Sequence, residues 1–221
     1  MKIRNFLLIA LIMISISTKA AFKEIHTTRL PFSPSVHNCT HTGDFKYFLC
    51  STRADMVMFD GTNGNILWHI NFEKNLSNKK FINQFWNQTA NVILVYDEDT
   101  RKAVATKYFI DGKTGNMLWK SEKYVSDMGS YELSDGFEYY FDPETNGVLL
   151  PTKESVEFVD VTNGNVIWEK KIQLTGKPKD FDCFLMNYYD LVKVETGKDE
   201  AFYLTTREGN EVSDIEPYFN K

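Results

Sequence analysis

The sequence predicts an all-β protein made of about four repeats of one small antiparallel sheet. A motif of an apolar run, Asp, Gly and Trp occurs three times, and a fourth, worn copy follows. The copies are almost evenly spaced: Gly64, Gly115 and Gly164 lie 51 and 49 residues apart, and Gly209 comes 45 residues later. Aromatic residues form 14% of the chain and no segment carries sustained helical periodicity, a balance that suits sheets better than a helical bundle.

At the N-terminus, Lys2 and Arg4 flank an apolar run over residues 6–16 that only Ser15 interrupts. Thr18-Lys19-Ala20 then places small residues where a signal peptidase reads, so residues 1–20 are expected to be a signal peptide cleaved after Ala20. The run is short for a bilayer span; an uncleaved N-terminal anchor is the competing reading. No cysteine follows it directly, which argues against a bacterial lipoprotein. Residues 21–221 are then the repeat domain, in a secreted protein or one of the periplasm or cell envelope, with the lumen of the endoplasmic reticulum as the alternative. Tight membrane insertion after cleavage is not expected.

Removal of residues 1–20 takes away Lys2, Arg4 and Lys19 and no acid, leaving 22 basic against 30 acidic residues, a net charge of −8. Nucleic acid and anionic membrane surfaces both call for clustered Lys and Arg, so neither fits as main partner. Cys39 and Cys50 stand eleven apart around the turn-like Thr40-His41-Thr42-Gly43-Asp44. They either pair in an oxidising compartment or remain as two buried thiols. Cys183 is left over, as a small buried hydrophobe. Neither the cysteines nor the four histidines have metal-ligand spacing, so no metal is expected.

The repeat reads Met58-Phe59-Asp60-Gly61-Thr62-Asn63-Gly64-Asn65-Ile66-Leu67-Trp68 in its first copy. The second runs from Tyr108 through Asp111 and Gly115 to Trp119, and the third from Phe158 through Asp160 and Gly164 to Trp168. In each, Gly follows Asp by four residues and precedes Trp by four. In the fourth, around Gly209, Thr205 replaces the Asp and Ser213 the Trp. An apolar run rich in β-branched and aromatic residues predicts a strand. Asp can accept backbone N–H bonds in the turn that follows, and Gly supplies the positive φ such a turn needs. The next strand then brings Trp to a neighbouring sheet, where its large area is buried.

Further strands are expected at residues 45–51 and 56–60, at 91–96 and 103–111, at 147–151 and 156–160, and at 188–195 and 201–205. Another lies between copies, at 81–87, 137–141 and 181–186. Four short strands per 45–50 residues mark a propeller blade.

Asp-x-x-x-Gly-x-x-x-Trp, with Thr or Asn before the Gly, resembles the tryptophan-docking motif of pyrroloquinoline-quinone (PQQ)-like propeller repeats. The resemblance covers most of residues 40–215 and implies that each Trp packs on an adjacent blade. Propellers of that family usually have seven or eight blades and this chain has room for about four. That leaves a compact four-bladed ring, a truncated relative of a longer protein, or the preferred reading, a partial or partner-completed propeller with a homodimer as one way to complete the ring.

The resemblance also raises a PQQ-dependent dehydrogenase, or a fragment of one. It implies for such enzymes an adjacent-cysteine disulfide, a carboxylate-rich calcium site and a catalytic Asp. Here no two cysteines are adjacent and the repeated Asp residues belong to turns. Asp97-Glu98-Asp99 lacks the spaced ligands of a calcium loop and reads as a solvated turn. No catalytic residue and no cofactor are therefore assigned, and a protein-binding or scaffold module is expected. Asn38, Asn75 and Asn87 head Asn-x-Ser/Thr triplets and are glycosylation candidates if the secretory system is eukaryotic.

Overall fold

The computed structural model describes residues 27–31, 38–76, 82–97, 106–124, 141–142, 146–152, 154–172, 182–186, 190–197 and 200–219. The expected signal peptide and most of the strand expected at 137–141 lie outside them. Four antiparallel sheets, each a four-stranded meander, follow one another along the chain. The first blade holds β1 (Asn38–His41), β2 (Tyr47–Ser51), β3 (Asp55–Asp60) and β4 (Ile66–Asn71), followed by the short helix α1 (Phe72–Leu76). The second holds β5 (Ile82–Asn87), β6 (Val92–Asp97), β7 (Lys107–Asp111) and β8 (Met117–Ser121). The third holds β9 (Phe141–Asp142), β10 (Gly147–Pro151), β11 (Ser155–Asp160) and β12 (Val166–Lys171). The fourth holds β13 (Asp182–Met186), β14 (Leu191–Gly197), β15 (Glu200–Thr205) and β16 (Glu211–Val212), with α2 (Glu216–Phe219) after it. These are propeller blades, in the order the repeat predicts.

The turn between the third and fourth strand of each blade is closed by its own sequence. Asp60 Oδ1 accepts from the Thr62 amide and hydroxyl, Oδ2 from Asn63 Nδ2, and the Gly64 amide donates to the Asp60 carbonyl. These bonds, the Thr62 hydroxyl foremost, hold the Asp60 carboxyl below its ordinary value. Asp160 repeats the arrangement, and Asp111 accepts from the amides of Lys113 and Thr114. The glycines at 64, 115, 164 and 209 have φ of 75°, 72°, 78° and 66°. In the fourth blade the Thr205 hydroxyl takes over, accepting from the Asn210 amide.

Two features go beyond the sequence reading. The first blade has its own first strand, Asn38–His41, where only a turn and a cysteine were evident. Blades one to three also carry a β-bulge just before the tryptophan: Met58 pairs Trp68 while Phe59 pairs Ile66, leaving Leu67 as the extra residue. Leu118 and Ile167 hold the same place. The bulge re-aims the strand so that Trp faces the following blade. The fourth blade has neither bulge nor Trp there, since Tyr203 pairs Val212 and Leu204 pairs Glu211 without a shift.

Candidate functional site

Each tryptophan of the motif docks on the turn of the next blade. Trp68 Nε1 donates to the Gly112 carbonyl at 2.9 Å, Trp119 to Val161 at 2.7 Å and Trp168 to Thr206 at 2.7 Å. Each ring lies over the positive-φ glycine: a Cβ at Gly115, Gly164 or Gly209 would stand 2.7–2.9 Å from the indole. The glycine therefore provides the turn conformation and also the space for the ring.

Beside each indole lies an apolar interface. Forward-facing Leu49, Met58 and Ile70 of the first blade pack on Ile93, Val95 and Ile110 of the second. Leu94 and Phe109 then meet Val148, Leu150 and Val159, and Leu149 and Phe158 meet Val192, Val194 and Leu204. A second contact links the segment after each docking strand to the next blade. The Tyr108 hydroxyl donates to the Leu76 carbonyl, while the Tyr124 hydroxyl and Lys123 Nζ both reach the buried Glu157 carboxylate. At the third junction the contact is apolar, with Ile172 and Phe202 against the shared core. Burial and then the Glu157 hydrogen bond push the Tyr124 phenol well above its ordinary value.

The two ends of the series differ chemically. The cross-strand pair at the centre of the forward face is Leu49–Met58, then Leu94–Phe109, then Leu149–Phe158, but Lys193–Tyr203 in the fourth blade. Alternation from the packed Val192 and Val194 puts Lys193 and Glu195 together on that face, and the two form an ion pair. At the other end, the rear face of the first blade carries a row of aromatics. His41 pairs Phe48 and Phe48 pairs Phe59, where later blades have Ile93–Ile110, Val148–Val159 and Val192–Leu204. Phe48 and Phe59 stack with centroids 5.6 Å apart, and His41 stacks with Phe45 at 4.4 Å. Phe45 is 58% exposed at φ 57°, an unusual backbone for an aromatic residue. The same hairpin is held by a disulfide between Cys39 and Cys50, which face each other across β1 and β2. Its turn is closed by Asp44, whose carboxyl is lowered to about 2 by the Thr42 hydroxyl, then the Lys46 amide and side chain.

The structure thus brings the motif residues of neighbouring blades together in pairs, Trp68 with Gly115, Trp119 with Gly164 and Trp168 with Gly209, and does not gather them at one centre. The asymmetric end faces were missed by the sequence reading. The alignment of Leu49, Leu94, Leu149 and Lys193 is the signal that finds them. Of the sequons, Asn38 and Asn75 are exposed, whereas Asn87 is buried and its Oδ1 accepts from the Ala90 amide. Cys183 lies in β13, opposite Val194. Among the described residues no group of three or more His, Cys, Asp and Glu is placed to hold a metal, and no helix is long and apolar enough to cross a membrane.

No protein-family model and no curated protein matches the chain. Among solved structures it is similar to a eukaryotic initiation factor, with 9% identity over 88% of this chain and 57% of that one and a TM-score of 0.50. It is also similar to the dihydro-heme d1 dehydrogenase NirN in complex with DHE, with 12% identity over 84% and 38% and a TM-score of 0.50. BamB from Moraxella catarrhalis gives 14% identity over 79% and 47%, with a TM-score of 0.47. The chain spans about half the length of these structures. At such identities the likeness is one of fold, and that fold is the β-propeller.

Proposed function

We propose that the chain is an exported, non-catalytic β-propeller module of the PQQ-like type that acts through protein contacts. The observation that carries this reading is how the distinctive residues are used. The motif tryptophans and glycines build the junctions between blades, and outside those junctions the first blade carries a partly open aromatic row, with His41 and Phe45 exposed and Phe48 and Phe59 half-buried. Exposed aromatics on a rigid sheet suit a protein partner, which they anchor at little conformational cost. Export is part of the proposal and rests on Lys2, Arg4 and the apolar run of residues 6–16. A secreted or cell-envelope location follows, or the lumen of the endoplasmic reticulum in a eukaryotic cell.

Three measurements on the natural protein test this. N-terminal mass spectrometry is expected to find a mature chain beginning at Ala21; a cytosolic chain starting at Met1 overturns export. Cross-linking in its own compartment, followed by mass spectrometry, is expected to join the chain to a defined protein, and cross-links confined to the chain itself overturn the interaction reading. Titration with PQQ and Ca²⁺ in a dye-linked dehydrogenase assay is expected to give no turnover. Stoichiometric binding with turnover moves the chain to the dehydrogenases.

A further inference from the structure

We propose that the rear face of the first blade, formed by His41, Phe48 and Phe59 beside the Gly61 carbonyl, receives a tryptophan-bearing propeller blade of another polypeptide. This rests on the reading of the chain as an interaction module and names the surface and the chemistry of the partner. The argument is continuity with the three internal junctions. In each, an indole N–H meets the carbonyl of the residue after the motif Asp or its Thr substitute: Gly112, Val161 and Thr206. Gly61 is that residue in the first blade, and Gly64 beyond it has the same left-handed φ as the other three docking glycines. None of the four tryptophans reaches Gly61, because three serve the internal junctions and Trp86 donates to Asn91. Thr28 does touch this turn, but through the Gly64 carbonyl.

The rear row differs along its length in a way that fits such a partner. Toward the middle of the sheet Cys50 and Val57 are already covered. At the turn end, where an indole docks in the other blades, Phe48 and Phe59 are only half-buried and Phe45 is exposed. Among the described residues, the part of the row left partly open is therefore the part that a tryptophan covers elsewhere in the chain.

A second copy of the chain does not match this surface. Head-to-tail pairing would place the forward face of a fourth blade against the aromatic row. That face brings Lys193 where the internal junctions bring leucine, with Glu195 beside it, and it has Ser213 in place of the indole. Burying the ion pair against phenyl rings would strip its water without supplying new partners. The blade that fits this row is one that keeps the leucine and the tryptophan.

A backbone-cyclised peptide of residues 155–171 serves as the probe, because that hairpin carries the forward-facing Phe158 and Trp168. It is titrated into the mature full-length chain and followed by nuclear magnetic resonance. The expected result is saturable binding that shifts the Gly61 amide. Trp168→Ala in the peptide, or Phe59→Ser in the chain, should weaken binding at least roughly tenfold, as loss of an aromatic anchor does. Absence of binding at millimolar peptide, or equal binding of the Trp168→Ala peptide, overturns the proposal. So does self-association of the chain that Phe59→Ser abolishes, since a second copy is then the occupant. The peptide control involves no change to the chain and so does not depend on a variant folding. Failure here with a cross-linked partner still found removes only this surface, whereas absence of any cross-linked partner removes the interaction reading itself.

Discussion

Trp68→Ala and Gly115→Ala, made singly and together, measure the dock between the first two blades as a coupling. Removing the Trp68 ring leaves a cavity in the core it shares with Met58, Ile93 and Ile110, at a loss of about 3–5 kcal/mol. Gly115→Ala acts in two ways. An L-residue at φ 72° costs about 1–2 kcal/mol, and a Cβ placed 2.8 Å from Cγ and Cδ2 of Trp68 overpacks the junction by about 1–3 kcal/mol more. Only the second effect needs the ring. In the double variant it vanishes, so the combined loss should fall short of the sum of the singles by about 1–3 kcal/mol. Urea titration of the mature chain followed by far-ultraviolet circular dichroism gives the three values from midpoint and slope. Additivity within about 0.5 kcal/mol would show that the glycine is required for its backbone alone, and the account of the dock would fail.

Two further perturbations probe single contacts. Tyr124→Phe takes from the buried Glu157 carboxylate one of its donors and should lower stability by about 1.5–3 kcal/mol in the same titration. The Tyr124 phenol titrates higher folded than unfolded, so its contribution is complete below about pH 10 and is lost as pH rises beyond it. Unfolding midpoints measured from about pH 9 to 11 should accordingly fall less steeply in Tyr124→Phe than in the parent, and parallel slopes would refute this. Replacing Cys39 and Cys50 by Ser opens a link with a sequence separation of 11 and should remove up to about 3 kcal/mol by the chain-entropy relation. Equal urea midpoints for the parent with and without reductant would mean that the link contributes nothing.

The blade turns were legible because their chemistry is local. Asp60 closes on Thr62 two residues away, and Gly64 lies four beyond Asp60, so the spacing in sequence is the spacing in space. The partner of each tryptophan was legible only as a neighbouring blade, because the carbonyls of Gly112, Val161 and Thr206 lie 38 to 44 residues further on. The bulge was not legible at all. Ile66-Leu67-Trp68 reads as an unbroken strand, and only pairing with Met58 and Phe59 shows that Leu67 is extra. The turns before β6, β10 and β14 were hidden for a related reason: Asn91, Asn146 and Asp190 adopt positive φ without any glycine to announce it.

The unequal ends follow from a comparison that motif spacing does not make. A propeller blade has two faces, and in a run of blades each forward face is specified by the rear face it meets. Leu94–Phe109 and Leu149–Phe158 are large and apolar because Val148–Val159 and Val192–Leu204 lie opposite. Where a fourth-blade face holds Lys193, Glu195 and Tyr203, the same rule disfavours an all-apolar rear face opposite it. The rear face of the first blade is apolar instead. Its rear row carries aromatic bulk where later blades have aliphatic pairs, at a position where the turn geometry for an incoming indole is intact. Of the two faces, the aromatic row with its intact turn is therefore the one suited to receive a further apolar blade.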